Sequence, residues 1–288
     1  MKFMGLINKV PIIYYRRSLF DKAELEAAQK YFKCVSLLTD IRKNSFVIGR
    51  YSMLPFYKDQ ENEIINIGAS LINNYNQYIY IADLKNYIID IDEYTPTTWS
   101  DLSLIPDDGP FILKGETNSR KSHWKTHMYA EDKKAAIEVH SRLTSDSMIS
   151  YQSIYIRKYI PLVKLMDGIN GMPVTKEFRF FVAYGEVISG GYYWSNYIDD
   201  LPVKPDINEV PKDFLNTIIN KIGDKNNFYT IDIAQAQTGE WVVIELNEGQ
   251  CAGLSDHDAD EFYRKLYKVV NRQVEKLNRK DNIKLIID

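Results

Sequence analysis

Residues 229–247 constrain this chain more tightly than any other stretch. Tyr229-Thr-Ile-Asp232-Ile-Ala-Gln235 and Trp241-Val-Val-Ile-Glu245-Leu-Asn247 are β-type runs around a turn at Gln237-Thr-Gly239-Glu240. Residues two apart on a strand point to one face, so Glu245 and Asn247 emerge side by side. If the runs pair as a hairpin, Asp232 lies across from them. Three oxygen ligands on one sheet face suit Mg²⁺, a hard cation that takes a few protein oxygens beside substrate phosphates. Ile231, Ile233, Ile244 and Leu246 would form the floor under them. Taken singly, each carboxylate could simply face water, as most charged side chains do. The glycine-bearing loop that follows, Glu248-Gly-Gln-Cys-Ala-Gly253, is of the kind that lies against a ligand.

Size and charge narrow the class. The 288 residues suffice for two or three compact lobes. A 45% hydrophobic content with mixed charge fits a globular protein, and a net charge of −3 gives no footprint for bulk nucleic-acid binding. No apolar run approaches a membrane span, and Met1 to Lys9 lacks the apolar core of a signal peptide. The two cysteines, Cys34 and Cys251, lie far apart in sequence, which suits a reducing cytoplasm and gives no disulfide framework.

Along the chain, residues 10–15 read as a strand. Residues 21–32 read as a helix capped by Asp21, with Leu25, Ala28 and Phe32 at helical spacing. Strands are expected at 34–38 and at 45–52, the latter ending in a glycine turn, then a helix over 60–74 and a strand at 78–82. This alternation implies an α/β unit on a parallel sheet. Turn-rich residues 94–100 and 106–110 mark a lobe boundary. A strand then ends at Lys114, followed by a polar loop over 115–125. A helix is expected at 131–143, with Ala135, Ile137 or Ala136, Val139 and Leu143 as its stripe, and a strand at 152–160, stopped by Pro161. A meander over 175–194 turns at Gly185. Residues 211–222 are helical, and a helix from Ala259 to Leu277 closes the chain, with Phe262, Leu266, Val269, Val270 and Val274 on one face.

In order, the chain carries a strand-end lysine (Lys114), a strand ending Arg157-Lys-Tyr-Ile-Pro161, Glu177-Phe-Arg179, Asp232, and Glu245-x-Asn247. This order resembles the ATP-grasp superfamily over nearly the whole chain, and especially the clade named for two arginines and one lysine. The most specific element is the spacing, thirteen residues from Asp232 to Glu245 and two more to Asn247.

The resemblance implies an α/β ATP-grasp fold with a pre-ATP-grasp domain at 1–95, an N-lobe at 96–160, and a C-lobe with the metal site at 161–288. It implies that Lys114 meets an ATP phosphate, though the residue alone reads equally as an edge-strand lysine. Lys158, Tyr159 and Ile160 would form a hinge that reads adenine through the backbone, and Tyr159 could instead be core. Asp167 would hold the ribose, or be a turn aspartate. Arg179, and similarly Arg157, would clamp the transferring phosphoryl group or an acyl-phosphate. An ion pair between Glu177 and Arg179 is the structural alternative. Asp232, Glu245 and Asn247 would hold Mg²⁺ bridging the ATP phosphates.

One departure concerns the phosphate loop. Many relatives cover the phosphates with a glycine-rich loop, whereas residues 115–125 have one glycine and carry Ser119, Arg120, Lys121 and Trp124. This basic loop could cover phosphates or be a mobile surface loop. His123 and His127 sit four apart with no third ligand in view. Cys251 could line the pocket or be a buried spectator. Arg50, Tyr51 and Ser52 could supply part of an acceptor pocket or be a structural turn. Tyr192, Tyr193 and Trp194 could form an interface or a pocket wall. The implied activity is an ATP- and Mg²⁺-dependent carboxylate–amine ligase acting through an acyl-phosphate on small-molecule or peptide substrates. The alternatives are a small-molecule kinase on the same fold and a nucleotide-binding module without turnover.

Overall fold

The computed structural model describes residues 8–17 and 21–287, with side chains to residue 282. Most of the Met1 to Lys9 segment lies outside the described residues. The first unit holds β1 (Val10–Tyr15), α1 (Lys22–Gln29), β2 (Lys33–Val35), β3 (Ser45–Arg50), α2 (Tyr57–Asn66), β4 (Ser70–Leu71), α3 (Tyr75–Ala82) and α4 (Leu84–Tyr87). Its four strands pair in parallel in the order β2-β1-β3-β4, as the alternation predicts. Asp21 caps α1, its carboxylate accepting from the Ala23 and Glu24 amides.

Three expectations for this unit fail. Residues 78–82 are helical rather than extended. Asn74 and Gln77 form a reciprocal capping box that starts α3, and Tyr78 and Ile81, three apart, are buried on one face. That helix takes the end of the expected 60–74 helix as its cap, so α2 stops at Asn66 and a short strand intervenes. The β-branched and aromatic residues made this segment look like a strand, and the cap overrides them. Gly49 lies inside β3 rather than in a turn, where an added Cβ would meet Met53 at 2.6 Å.

The second unit holds β5 (Thr98–Trp99), β6 (Asp108–Gly115), α5 (Trp124–His127), β7 (Tyr129–Asp132), α6 (Lys133–Thr144) and β8 (Ile154–Lys158). Its antiparallel sheet runs β5-β8-β6-β7. Residues 108–110, read as a turn, begin β6, with an irregularity in pairing between Asp108 and Phe111. The stripe of α6 is Ala136, Val139 and Leu143, while Ile137 is exposed.

The third unit opens with the hairpin β9 (Lys164–Asp167) and β10 (Pro173–Thr175). It continues through β11 (Glu177–Ala183), β12 (Glu186–Tyr192), α7 (Lys212–Ile222), β13 (Phe228–Gln235), β14 (Trp241–Glu248) and α8 (Ala259–Ile287). Its main sheet is antiparallel, in the order β12-β11-β13-β14. Gly185 turns β11 into β12 with φ +76°, a conformation that favours glycine.

The two faces of this sheet do different work. Phe178, Phe180, Val182, Tyr229, Ile231, Ile233 and Leu246 pack in one core with α7 residues Leu215, Ile218 and Ile222. On the opposite face, Phe181 and Phe228 pack with Phe262, Leu266 and Val270 of α8. Further along that second face the apolar residues give way to Arg179, Asp232 and Glu245, so the site is an extension of a packed wall. Helix α8 begins at Ala259 as expected and runs ten residues past Leu277, and its five predicted apolar positions are all buried. It also packs against Ala27, Ala28 and Phe46 of the first unit. Among the described residues, no helix is long and apolar enough to cross a membrane.

Polar contacts lock the first unit to the third. The Asn73 amide donates to the Phe228 carbonyl, and the Asn227 N–H donates to Asn73. Arg50 is buried, ion-paired to Glu24, and donates to the carbonyls of Gly249, Gln250 and Ala252. With its guanidinium taken up in this way, Arg50 fixes the loop after β14 rather than facing an acceptor. Tyr51 is buried and donates to Gln60, while Ser52 is exposed.

Candidate active site

Asp232 pairs with Glu245 across β13 and β14, Asn247 pairs with Thr230, and Arg179 stands opposite Asp232 on β11. The row Arg179, Asp232, Glu245 therefore crosses three strands on one face, with Asn247 one step along. The structure brings the three expected oxygen donors together. The Asn247 amide donates to Asp232 at 3.4 Å.

Two of these donors are held by cations. Arg179 donates to both oxygens of Asp232, from Nε at 2.8 Å and from Nη2 at 2.7 Å. Lys114, at the end of β6, is ion-paired to Glu245. The alternative pair of Glu177 with Arg179 does not form, because the register sets Arg179 directly opposite Asp232 while Glu177 faces Ala234. Burial works against the charge on Glu245, but Lys114 and Lys121 hold its carboxyl well below the usual range. Burial pushes Asp232 up, against the pull of Arg179. Burial pushes Glu177 up to about 7, with Lys121 pulling it back and Asp232 and Glu245 adding to the rise.

A cavity of about 180 Å³ lies between the second and third units, lined by Ile112, Lys114, Met128, Arg157, Lys158, Tyr159, Ile160, Leu162, Met172, Ile244 and Glu245. Its lining is apolar at Ile112, Met128, Leu162, Met172 and Ile244 and charged at Lys114, Arg157 and Glu245. The Lys158 and Tyr159 N–H groups are committed to the carbonyls of Thr97 and Pro110, at 2.8 and 2.9 Å. The Ile160 N–H meets no acceptor among the described residues, which leaves it free to read a ligand edge. Tyr159 packs edge-on to Tyr129 at 5.5 Å and is half-buried at the cavity wall.

Two expected residues stand differently. Asp167 is exposed, ion-paired to Lys164 at 2.6 Å, and is absent from the cavity lining. Arg157 lines the cavity, but its fork reaches the edge of β14. It donates to the Ile244 carbonyl, to Thr95 at 2.7 Å and to Thr98 at 3.2 Å. Arg157 thus ties the hinge strand to the residue beside Glu245.

For the loop over 115–125 the sequence leaves two readings, a cover for phosphates or a mobile surface loop, and singles out none of Ser119, Arg120, Lys121 and Trp124. Arg120 is held by Asp146 at 2.7 and 2.6 Å, and the Ser122 carbonyl accepts from Asn170 at 2.7 Å. Pinned on both sides, Lys121 turns inward and donates to the Tyr193 hydroxyl. Tyr193 and Trp194 are pocket wall, and Tyr192 is core. The basic composition of the loop was the only sequence signal for Lys121. His123 and His127 face each other at 5.3 Å, and no group of three metal-ligating side chains of the His, Cys, Asp or Glu type forms among the described residues. Cys251 is exposed rather than a buried spectator.

The donor set fits Mg²⁺ with a nucleotide. Two carboxylates and an amide converge beside the cavity, with lysine and arginine in place to meet phosphate oxygens. The buried Thr230 hydroxyl, in register with Asn247, has no partner, so the face retains unused polar capacity.

A cleft between an antiparallel four-stranded lobe and a second sheet that carries this donor row defines an ATP-grasp protein. The chain belongs to the R2K clade family 3 of ATP-grasp domains, whose family model matches residues 101–266. No curated protein matches the chain. Among solved structures, it is similar to D-cycloserine synthetase DcsG, with TM-score 0.58, 12% identity, and coverage of 90% of this chain and 99% of that one. A RimK domain ATP-grasp protein from Sphaerobacter thermophilus gives TM-score 0.56 at 14% identity, covering 90% and 98%. The RiPP-associated ATP-grasp ligase of Chryseobacterium gregarium, in complex with ADP and a leader and core peptide, gives TM-score 0.56 at 13% identity, covering 92% and 97%.

Proposed function

We propose that this protein is an ATP- and Mg²⁺-dependent carboxylate–amine ligase acting through an acyl-phosphate. The observation that carries the reading is the row Arg179, Asp232, Glu245 beside a ring-sized slot. Family membership and the ligase neighbours support the reaction class.

Ile160 reads the adenine edge, with Lys158 and Tyr159 framing the slot. Lys114 meets a phosphate as a point charge. Asp232, Glu245 and Asn247 would hold Mg²⁺, which would supply charge neutralisation to the triphosphate. Arg179, released from Asp232, offers its planar fork to the transferring group or to the acyl-phosphate. Arg157 positions β14. Glu177, buried beside Arg179, keeps one further carboxyl at the reacting end. Asp167 is left without a role. The three four-stranded sheets support the division 1–95, 96–160 and 161–288. The unpaired cysteines fit a reducing cytoplasm, and the pocket beside Tyr193 and Trp194 accommodates a small molecule or a peptide end.

The test uses Asp232→Asn combined with Glu245→Gln. Each new amide keeps an oxygen that accepts from Arg179 or Lys114, so that variant, with its folding checked by circular dichroism, should lose ATP turnover, while the wild type supplied with carboxylates and amines yields an amide. Turnover retained by the double variant would overturn the metal assignment. A stable phosphorylated acceptor without amide would replace the ligase with a kinase.

A further inference from the structure

Lys121 lines three hollows. One is the nucleotide cavity. The second, about 370 Å³, is polar and walled by Lys114, Asn118, Ser119 and Glu245. The third, about 330 Å³, is walled by Arg179, Tyr193, Trp194 and Ser255. Among the described residues, no other lines all three. The remaining cations deep in the site are taken: Lys114 by Glu245, Arg179 by Asp232, and Arg157 by Ile244, Thr95 and Thr98.

Lys121 differs from these. It forms no ion pair among the described residues, and its ammonium rests over the rings of Tyr193 and Trp194, at 4.2 and 5.0 Å. Burial opposes its charge, but Tyr193, Glu177 and Glu245 outweigh burial and keep it protonated. An inward-facing cation with no carboxylate partner favours an incoming anion. Its loop is anchored on either side by the Arg120–Asp146 pair and by Asn170, so the side chain can move while the backbone stays.

We infer that Lys121 is the cation that meets the γ-phosphoryl group of ATP, leaving its seat on Tyr193 for the junction of the three hollows when a triphosphate binds. A side chain does here what a glycine-rich backbone loop would otherwise do. The inference rests on reading the cavity as the nucleotide site. Because it assigns Lys121 to the γ-phosphoryl group alone, it requires discrimination between triphosphate and diphosphate.

The experiment is calorimetric titration of Mg²⁺–AMPPNP and Mg²⁺–ADP into the wild type, Lys121→Met, Lys121→Arg and Tyr193→Phe. The wild type should prefer AMPPNP by about 10-fold or more, because charge-assisted phosphate contacts are the strong ones. Lys121→Met should reduce that preference to about 2-fold or less with ADP affinity unchanged, and Lys121→Arg should restore most of it. Tyr193→Phe should keep the preference, since the phenol only seats the ammonium. Two results would overturn the assignment: preference surviving in Lys121→Met, or Tyr193→Phe and Lys121→Met losing both nucleotides equally, which would make the pair a structural prop. A wild type that binds both without preference defeats this inference alone. A wild type that binds neither defeats the nucleotide reading as well.

Discussion

Arg179 and Asp232 face each other on neighbouring strands and share two parallel hydrogen bonds of 2.8 and 2.7 Å, with Asp232 fully enclosed. Lys114, reaching across from β6 in the sheet of the second unit, is ion-paired to Glu245 one strand over. The carboxylates proposed to hold the metal are thus neutralised by the cations proposed to meet the phosphates. Metal and nucleotide can enter together by exchange: the carboxylates turn to Mg²⁺ as the lysine and arginine turn to phosphate.

Mg²⁺ without nucleotide should therefore bind weakly, since it must displace Lys114 and Arg179 and leave them unmatched. Lys114→Met should raise the affinity for Mg²⁺ alone by about 3- to 10-fold while lowering that for the Mg²⁺–nucleotide complex. Isothermal titration of each ligand separately and together checks this. Equal Mg²⁺ affinity in both proteins would contradict it.

Removing one partner of the buried pair leaves an uncompensated charge. Asp232→Ala should destabilise the fold by about 3–5 kcal/mol, and Asp232→Leu with Arg179→Met should recover much of that loss. Chemical denaturation monitored by circular dichroism gives the comparison.

Glu177 sets a pH dependence. Its carboxyl is pushed up to about 7 from an ordinary 4.5, by burial first, with Asp232 and Glu245 adding to the rise and Lys121 and Arg179 opposing it. Between those values the folded chain keeps a proton that the unfolded chain has lost. The stability from this group is complete below about 4.5 and falls as pH rises towards about 7. Glu177→Gln should flatten that slope by about 1–3 kcal/mol, read as the change in unfolding free energy between the two pH limits.

Arg157 spans Thr95, Thr98 and the Ile244 carbonyl. Lysine keeps the charge but not the fork, so Arg157→Lys should lower kcat/KM for ATP about 10- to 100-fold with little change in Tm. An unchanged kcat/KM would remove its positioning role.

The donor row was legible because two strands fix its geometry: a period of two and a short turn leave little choice of where Asp232, Glu245 and Asn247 point. The long α8 and the meander at Gly185 were legible for the same local reasons. Residues 78–82 were misread because their composition favours a strand, while the cap that makes them helical lies upstream at Asn74. Lys121 could not be told apart from the rest of its basic loop, because only the tertiary anchors of that loop, Asp146 and Asn170, turn it inward. Arg50 and Asp167 each fit a functional reading until their partners, the 249–252 carbonyls and Lys164, were known. For Arg50 that pairing crosses units and has no short-range trace in the sequence, whereas Lys164 stands only three residues from Asp167.

The central claim is that this site transfers the γ-phosphoryl group of ATP to activate a carboxylate. The most direct measurement is nucleotide product analysis with ATP, Mg²⁺ and a mixed pool of amino acids and other small carboxylates and amines. ADP and inorganic phosphate should form, and only when members of the pool are present. AMP and pyrophosphate would contradict the claim, and would mean that the cavity directs attack to the α-phosphorus instead.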